Sequence, residues 1–231
     1  MMNFLPLLNK SDPRLILQAV DLELSLRKSH RKLTEYVPYD KQRAFHDAGA
    51  NYRERLFLAG NRCGKTQAGA FEMAMHLTGL YPDWWRGKRF DKPIRAWAAG
   101  ITGESTRDVV QEKLFGPPDQ RDAWGTGAIP KDRIGDIITG RGIGNAVDMA
   151  SIKHASGGWS SLGFKSYEKG REKWQGSALE VCWMDEESPL PLYLEALTRT
   201  NETGGLVYLT CTPLMGMSSV MIRFLMPEQD H

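Results

Sequence analysis

Apolar residues recur along the chain in two rhythms, and the alternation between them is the first guide to its fold. From Pro13 to about Arg31, Leu15, Ile16, Ala19, Leu22 and Leu26 fall at 3.6-residue spacing, which predicts an amphipathic helix. Ser11 or Asp12 can cap it, and Pro13 suits its first turn. Residues 39–50 also read as helical. Residues 55–59 (RLFLA) form a short apolar run that predicts a buried strand, followed by a glycine-containing loop and a helix from Lys65 to about Thr78. The next strand is expected over 94–99 (IRAWAA), then a helix over 104–115 capped near Thr102. Residues 116–144, rich in Gly, Pro and Asp, read as mostly irregular. Two β-like segments follow at 146–154 and 159–166. The runs 179–184 (LEVCWM) and 206–211 (LVYLTC) are expected to be buried strands. Strands alternating with helices predict an α/β fold, with an open, mainly parallel central sheet and helices on both faces.

Composition changes this picture little. The 231 residues suit one domain of ordinary size, and 41% hydrophobic with 25% charged residues is the balance of a globular protein. The net charge is +2, so any nucleic-acid contact has to come from a local patch and not a global field. Arg27, Lys28, His30, Arg31 and Lys32 form one basic run; cations facing water at a helix C-terminus account for it, with a DNA contact as the alternative. The cysteines, Cys63, Cys182 and Cys211, are odd in number and far apart, and the histidines show no ligand spacing. A reduced, cytosolic protein without structural zinc is expected. The apolar stretch 4–8 is too short for a signal peptide, and no run is long enough to span a bilayer.

The chemistry begins at residues 59–66, AGNRCGKT. A strand, then this loop, then a helix is the order in which a phosphate-binding loop works. Backbone N–H groups of Asn61, Arg62, Cys63, Gly64, Lys65 and Thr66 can wrap a β-phosphate at the positive end of the following helix. Gly60 and Gly64 permit the backbone angles and the close approach. Lys65 is expected to reach the β- and γ-phosphates, and the Thr66 hydroxyl to ligate Mg²⁺. Ala59 stands where the pattern has its first glycine. The bland alternative is a glycine turn that happens to contain GKT.

Hydrolysis also needs a second metal anchor and a group to activate water. The strand 179–184 delivers Asp185 and Glu186 at its C-terminal end, where open α/β sheets place their ligands. Asp185 is expected to bind Mg²⁺ through water and Glu186 to act as general base; Glu187 reads as a solvated neighbour. A glutamate directly after the metal-binding aspartate suggests the P-loop ATPase class with an additional strand and a catalytic Glu. That class inserts the additional strand between these two motifs, and the segment 94–99 is expected to take that place.

Together these residues resemble the large subunit of tailed-bacteriophage terminases, from about Tyr36 to Phe224. The segment 36–42 (YVPYDKQ) is similar to that family's adenine-recognition segment, which implies that Gln42 hydrogen-bonds the base; on spacing alone Gln42 reads as an exposed helix position. Arg62 matches an arginine the family carries in its phosphate loop, implying a cation near the γ-phosphate. Residues 79–90 and 170–185 are also family-like. The run 209–214 (LTCTPL), with Gly216 and Met217 beyond, resembles the coupling motif, implying that Thr210 and Thr212 sense the nucleotide; on spacing alone they are β-branched strand residues. Where relatives carry Arg-Gly before the acidic strand, this chain has Gln175-Gly176, and Arg171 is the substitute candidate for a trans-acting arginine finger. A solvated arginine is the alternative.

The resemblance implies an ATPase using ATP and Mg²⁺ to drive double-stranded DNA into a viral procapsid in the host cytoplasm. It implies a homo-oligomeric ring, with a portal protein and a small terminase subunit as partners and no membrane. Residues 1–35 are expected to be an N-terminal helical extension and 36–231 the ATPase domain, with the family's nuclease domain absent from this chain. The rival readings are a helicase-like DNA translocase and a nucleotide-gated, non-catalytic DNA-binding module. Two DNA-contact candidates stand out. Residues 84–90 (WWRGKRF) interleave aromatics with cations, although tryptophans covering the core are the plainer reading. The other is the loop 140–144 with Arg133 and Arg141.

Overall fold

Strand β1 (Glu54–Leu58) runs into a loop and then into helix α2 (Lys65–Thr78), and the rest of the fold is arranged around that unit. A computed structural model of the chain describes residues 31–176, 178–212 and 218–226, with positions 14, 17, 18, 20, 21, 23 and 24 of the N-terminal segment. Those seven positions are helical and exposed. The expected apolar stripe (Leu15, Ile16, Ala19, Leu22, Leu26), its caps and most of the basic run lie outside the described residues, as do residues 213–217 of the coupling segment.

The other elements, in chain order, are α1 (Asp40–Ala48) before β1, then β2 (Arg95–Gly100) and α3 (103–115). The edge strands β3 (Ile134–Thr139), β4 (Val147–Lys153) and β5 (Trp159–Ser166) follow. After them come β6 (Val181–Asp185), α4 (Leu190–Asn201), β7 (Leu206–Cys211) and α5 (Ser219–Leu225). The strands form one sheet in the order β1-β7-β6-β2-β5-β4-β3. The first five in that order pair in parallel, and β4 and β3 extend the edge antiparallel.

The apolar runs in β6 and β7 exist because both faces of the sheet are covered. Successive side chains point to opposite faces. Val181, Trp183, Leu206 and Tyr208 enter one core with α2, whereas Cys182, Met184, Val207 and Leu209 enter a second core with Leu192, Tyr193 and Ala196 of α4. Helices on both faces, as expected, follow from this double burial.

Three features differ from the expectations. The strand between β1 and β6 is β7, not the segment 94–99, which forms β2 on the far side of β6. Periodicity reports that a segment is a strand but not its neighbours; crossover connections decide those. The stretch taken as irregular contains β3, a half-exposed edge strand with a register shift and no clean alternation. Helix α4 has no counterpart among the expected elements. Pro189 and Pro191 disguise its start, yet proline is tolerated at a first turn, where no intrahelical donor is needed.

Helix α3 does start as expected, with the Ser105 N–H donating to the Thr102 hydroxyl at 3.0 Å. Its middle, Thr106–Gln111, widens to π-helical geometry. The Gln111 amide reaches across to Asn145 O and Val147 N, at 2.9 and 2.8 Å, and fixes the start of β4.

Candidate nucleotide and metal site

The C-terminal ends of β1, β7 and β6 lie side by side, so their emerging loops converge at one edge of the sheet. After β1 the chain turns through residues 59–64, with Arg62 at φ 61° and Gly64 at φ 71°. Left-handed angles suit glycine; for arginine they are uncommon and mark a constrained loop. Gly64 is also pressed close, since a Cβ there would lie 2.9 Å from Gln42 Nε2. Lys65 is buried and folds back across the loop to donate to Gly60 O at 2.9 Å.

Asp185, at the end of β6, is buried and accepts a 2.6 Å hydrogen bond from Thr210 Oγ1 on β7. Trp183 Nε1 in turn donates to Thr210 Oγ1 at 2.8 Å. The Thr66 hydroxyl, from the first turn of α2, lies near enough to the Asp185 carboxyl to favour its charged form. Burial pushes Asp185 up to about 6, against the opposing pull of the Thr210 and Thr66 hydroxyls. A desolvated carboxylate is a group that gains from a nearby cation.

Glu186 takes φ 62°, and its Oε2 accepts from the Thr212 N–H at 3.1 Å. Thr212 Oγ1 sits 3.1 Å from Asn61 Oδ1, joining the end of β7 to the loop. The expected loop and acid residues are thus brought together, and Thr210 and Thr212 join both. Glu187 is not simply solvated: its Oε2 and the Ser188 hydroxyl are buried without a hydrogen-bond partner among the described residues.

The segment before α1 packs against the loop from the other side. Gln42 is buried and not an exposed helix position. Its amide donates to Gly64 O at 3.0 Å and accepts from Tyr39 N at 3.2 Å. The Tyr39 hydroxyl donates to Cys63 O. Beside them opens a cavity of about 800 Å³, lined among others by Tyr36, Tyr39, Gln42, Arg62, Gly64 and Phe71. Arg62 and Cys63 are exposed at its mouth. Its size and its position beside the loop suit a nucleoside.

Arg171 lies elsewhere in the bonding scheme. It pairs with Glu195 of α4 at 3.0 Å, and Arg199 holds the other oxygen of the same carboxylate at 2.9 Å. In residues 84–90 the aromatics pack, with Trp85 buried alongside Phe90 in the core and Arg43 covering the Trp84 ring at 4.8 Å, whereas Arg86 and Arg89 are exposed. Lys88 Nζ donates to Gly204 O at 2.5 Å. Arg141 is exposed in the loop before β4, while Arg133 pairs with Asp132 at 3.4 Å. Sequence reasoning missed Tyr167, whose hydroxyl donates to Asp185 O at 2.8 Å and to Glu186 O at 3.3 Å. A single tyrosine after a strand carries no signal in one sequence.

A parallel sheet with a strand-loop-helix carrying Gly64-Lys65-Thr66, and an acidic strand end one strand removed, defines the P-loop class of α/β domain. A family model described as "Terminase large subunit, T4likevirus-type, N-terminal" matches residues 56–230, and the chain belongs to that family. It is 42% identical over 227 residues to the terminase large subunit of Salmonella phage P22, covering 91% of this chain and 45% of that protein. It is 26% identical over 229 residues to the terminase large subunit of Enterobacteria phage LP7, covering 91% of this chain and 47% of that one. The chain therefore spans about half the length of these relatives. Among solved structures it resembles the large terminase of a thermophilic bacteriophage, at 16% identity and a TM-score of 0.49, covering 80% of this chain and 38% of that one. An ADP complex of the same phage protein matches at 14% identity and a TM-score of 0.48, with the same shares covered.

Proposed function

We propose that this chain hydrolyses ATP with Mg²⁺ and is the engine that drives double-stranded viral DNA into a procapsid. The observation that carries the reading is that β7 joins the phosphate loop to the acidic strand, with Thr210 bonding Asp185 and Thr212 bonding Asn61. Thr66 and Asp185, two prospective oxygen ligands separated by more than a hundred residues of sequence, are thereby brought to the same end of the sheet. Among the described residues no cluster of three or more His, Cys, Asp or Glu forms a protein-only metal cage. That suits Mg²⁺, which is commonly held by one or two protein oxygens together with phosphate and water. When bound, the metal supplies charge neutralisation for the β- and γ-phosphates.

The chain's own residues do the rest. Backbone N–H groups of the loop and the start of α2 hold phosphate oxygens. Lys65 exchanges its Gly60 carbonyl for the β- and γ-phosphates, and Arg62 adds a second cation at the mouth. Glu186, once released from the Thr212 N–H, accepts the proton of the attacking water. Tyr39 and Gln42 border the base; because the Gln42 amide already bonds Gly64 and Tyr39, base occupancy and loop shape are mechanically linked. Thr210 and Thr212, bonded to Asp185 and Asn61, carry the nucleotide state along β7.

In this reading the working form is a homo-oligomeric ring on double-stranded DNA, with a portal protein and a small terminase subunit, in the host cytoplasm. Arg171 can serve as a trans-acting finger only by exchanging Glu195 for a neighbour's phosphate. The test is Glu186→Gln. Retained ATP binding with hydrolysis abolished supports the assignment; unchanged turnover overturns Glu186 as the base.

A further inference from the structure

The bonding at the end of β6 departs from a regular parallel ladder, and Tyr167 accounts for the departure. Asp185 pairs with Thr210 in register, and Glu186 N donates to Thr210 O at 2.9 Å, an ordinary ladder bond. The next bond of a parallel ladder joins Thr212 N to Glu186 O. Here Thr212 N donates instead to the side-chain Oε2 of Glu186 at 3.1 Å. The Glu186 backbone has turned to φ 62°, a region that side-chain-bearing residues rarely enter. Its carbonyl has left the ladder, and the Tyr167 hydroxyl receives it at 3.3 Å while holding Asp185 O at 2.8 Å.

We infer that Tyr167 is a positioning residue for Glu186, its phenol holding the 185–186 backbone in the turned geometry that aims the carboxylate. The inference rests on the ATPase reading above.

Three observations make the assignment specific. Tyr167 is buried, its ring packed in the core that contains Trp174 and Met184, so the hydroxyl has a fixed origin. Tyr167 itself comes from the turn after β5, outside the loop, the acidic strand and the coupling run, so it acts from a separate element. Burial holds the phenol well above its usual range, so it stays protonated and donates. A part-buried carbonyl turned out of a ladder gains from a donor, and the Tyr167 hydroxyl shares its one proton between it and Asp185 O. Without it, the left-handed turn at Glu186 loses its compensation and the backbone is free to return to the ladder. The carboxylate then points elsewhere.

The experiment measures single-turnover hydrolysis of ATP with Mg²⁺, the chain in excess, beside the Kd for a fluorescent ATP analogue and a thermal melt. Tyr167→Phe keeps the ring. It is expected to lower the hydrolysis rate by roughly ten- to a hundredfold, the scale of a small misplacement of a reacting group, with the Kd within about twofold. Added to Glu186→Gln, it is expected to leave the residual single-turnover rate of that variant unchanged, because it acts through that side chain. An unchanged rate in Tyr167→Phe overturns the inference. So does a rate and melting temperature that fall together with a rise in Kd, or a further loss of whatever rate Glu186→Gln leaves in the double variant. If the wild type does not hydrolyse ATP, the ATPase reading fails and takes this one with it. If it does, and Glu186→Gln stops it while Tyr167→Phe leaves it unchanged, only the role of Tyr167 is lost.

Discussion

Thr212 Oγ1 and Asn61 Oδ1 lie 3.1 Å apart, joining the end of β7 to the phosphate loop. The same residue's N–H holds the Glu186 carboxylate, so one threonine touches both the loop and the proposed base. Thr212→Val removes the hydroxyl bond, of about 1 kcal/mol, and leaves the N–H in place. The Kd for ATP should move by less than about fivefold, and turnover should fall more than binding does. Equal losses in both would show that the hydroxyl only shapes the loop.

Lys65 already spans the loop, with its ammonium on Gly60 O. A charge-assisted contact to phosphate is worth about 1.5–3 kcal/mol. Lys65→Ala should therefore raise the nucleotide Kd roughly ten- to a hundredfold, measured by titration with a fluorescent analogue. A Kd matching the wild type would remove Lys65 from the phosphate site.

Behind the site, Glu72 of α2 is fully buried and is shared by Arg55 of β1, His46 of α1 and His76 one turn along. Glu72→Ala leaves the Arg55 guanidinium buried without its carboxylate. Breaking one side of a buried pair costs about 3–5 kcal/mol. The denaturant midpoint should drop accordingly, and a change below about 1 kcal/mol would mean that water replaces the carboxylate.

The same cluster sets an acid sensitivity. Burial holds His76 below the ordinary imidazole value, with Arg55 and His46 adding to it and Glu72 opposing. Below about pH 6.5 the unfolded chain therefore binds a proton that the folded chain lacks. Neutral His76 contributes fully above that value, and its contribution is lost as the pH falls. Burial raises Glu72, but Arg55 and the hydrogen bonds from His46 and His76 outweigh it and hold the carboxyl well down. Its contribution is lost only at more acid pH. Denaturation at pH 7.5, 6 and 5 should show falling stability. In His76→Gln the slope should be shallower by up to about 1.4 kcal/mol per pH unit. An identical slope would assign the effect to other groups.

Gly69 on α2 faces the Trp183 indole, and a Cβ there would sit 2.5 Å from Nε1. Alanine gains about 0.5–1 kcal/mol of helix preference over glycine, whereas overpacking costs about 1–3 kcal/mol; the clash should win. It also displaces the N–H that holds Thr210 on Asp185. Gly69→Ala should lower both the melting temperature and turnover. A stabilised variant would show that the indole can shift freely.

The phosphate loop was legible because its chemistry is local: strand, Gly60, Gly64-Lys65-Thr66 and helix follow one another, and α2 (Lys65–Thr78) has the bounds the pattern predicted. The acid pair was legible for the same reason, as the end of an apolar run. Helix α4 was hidden by Pro189 and Pro191, and β3 by its half-exposed edge position. Gln42 read as exposed on spacing alone because its partner, Gly64 O, lies 22 residues away.

Most strands and helices, and the segments that are candidates for phosphate and metal binding, were readable along the chain because periodicity and short motifs act between near neighbours. Only the tertiary structure decided that β7 lies between β1 and β6. It likewise decided that Thr210 bonds Asp185, that Thr212 joins Asn61 to Glu186, and that the Tyr167 hydroxyl donates to the Glu186 carbonyl. Those relationships depend on strand order and on a backbone turn, and both are set by how crossovers pack two cores at once.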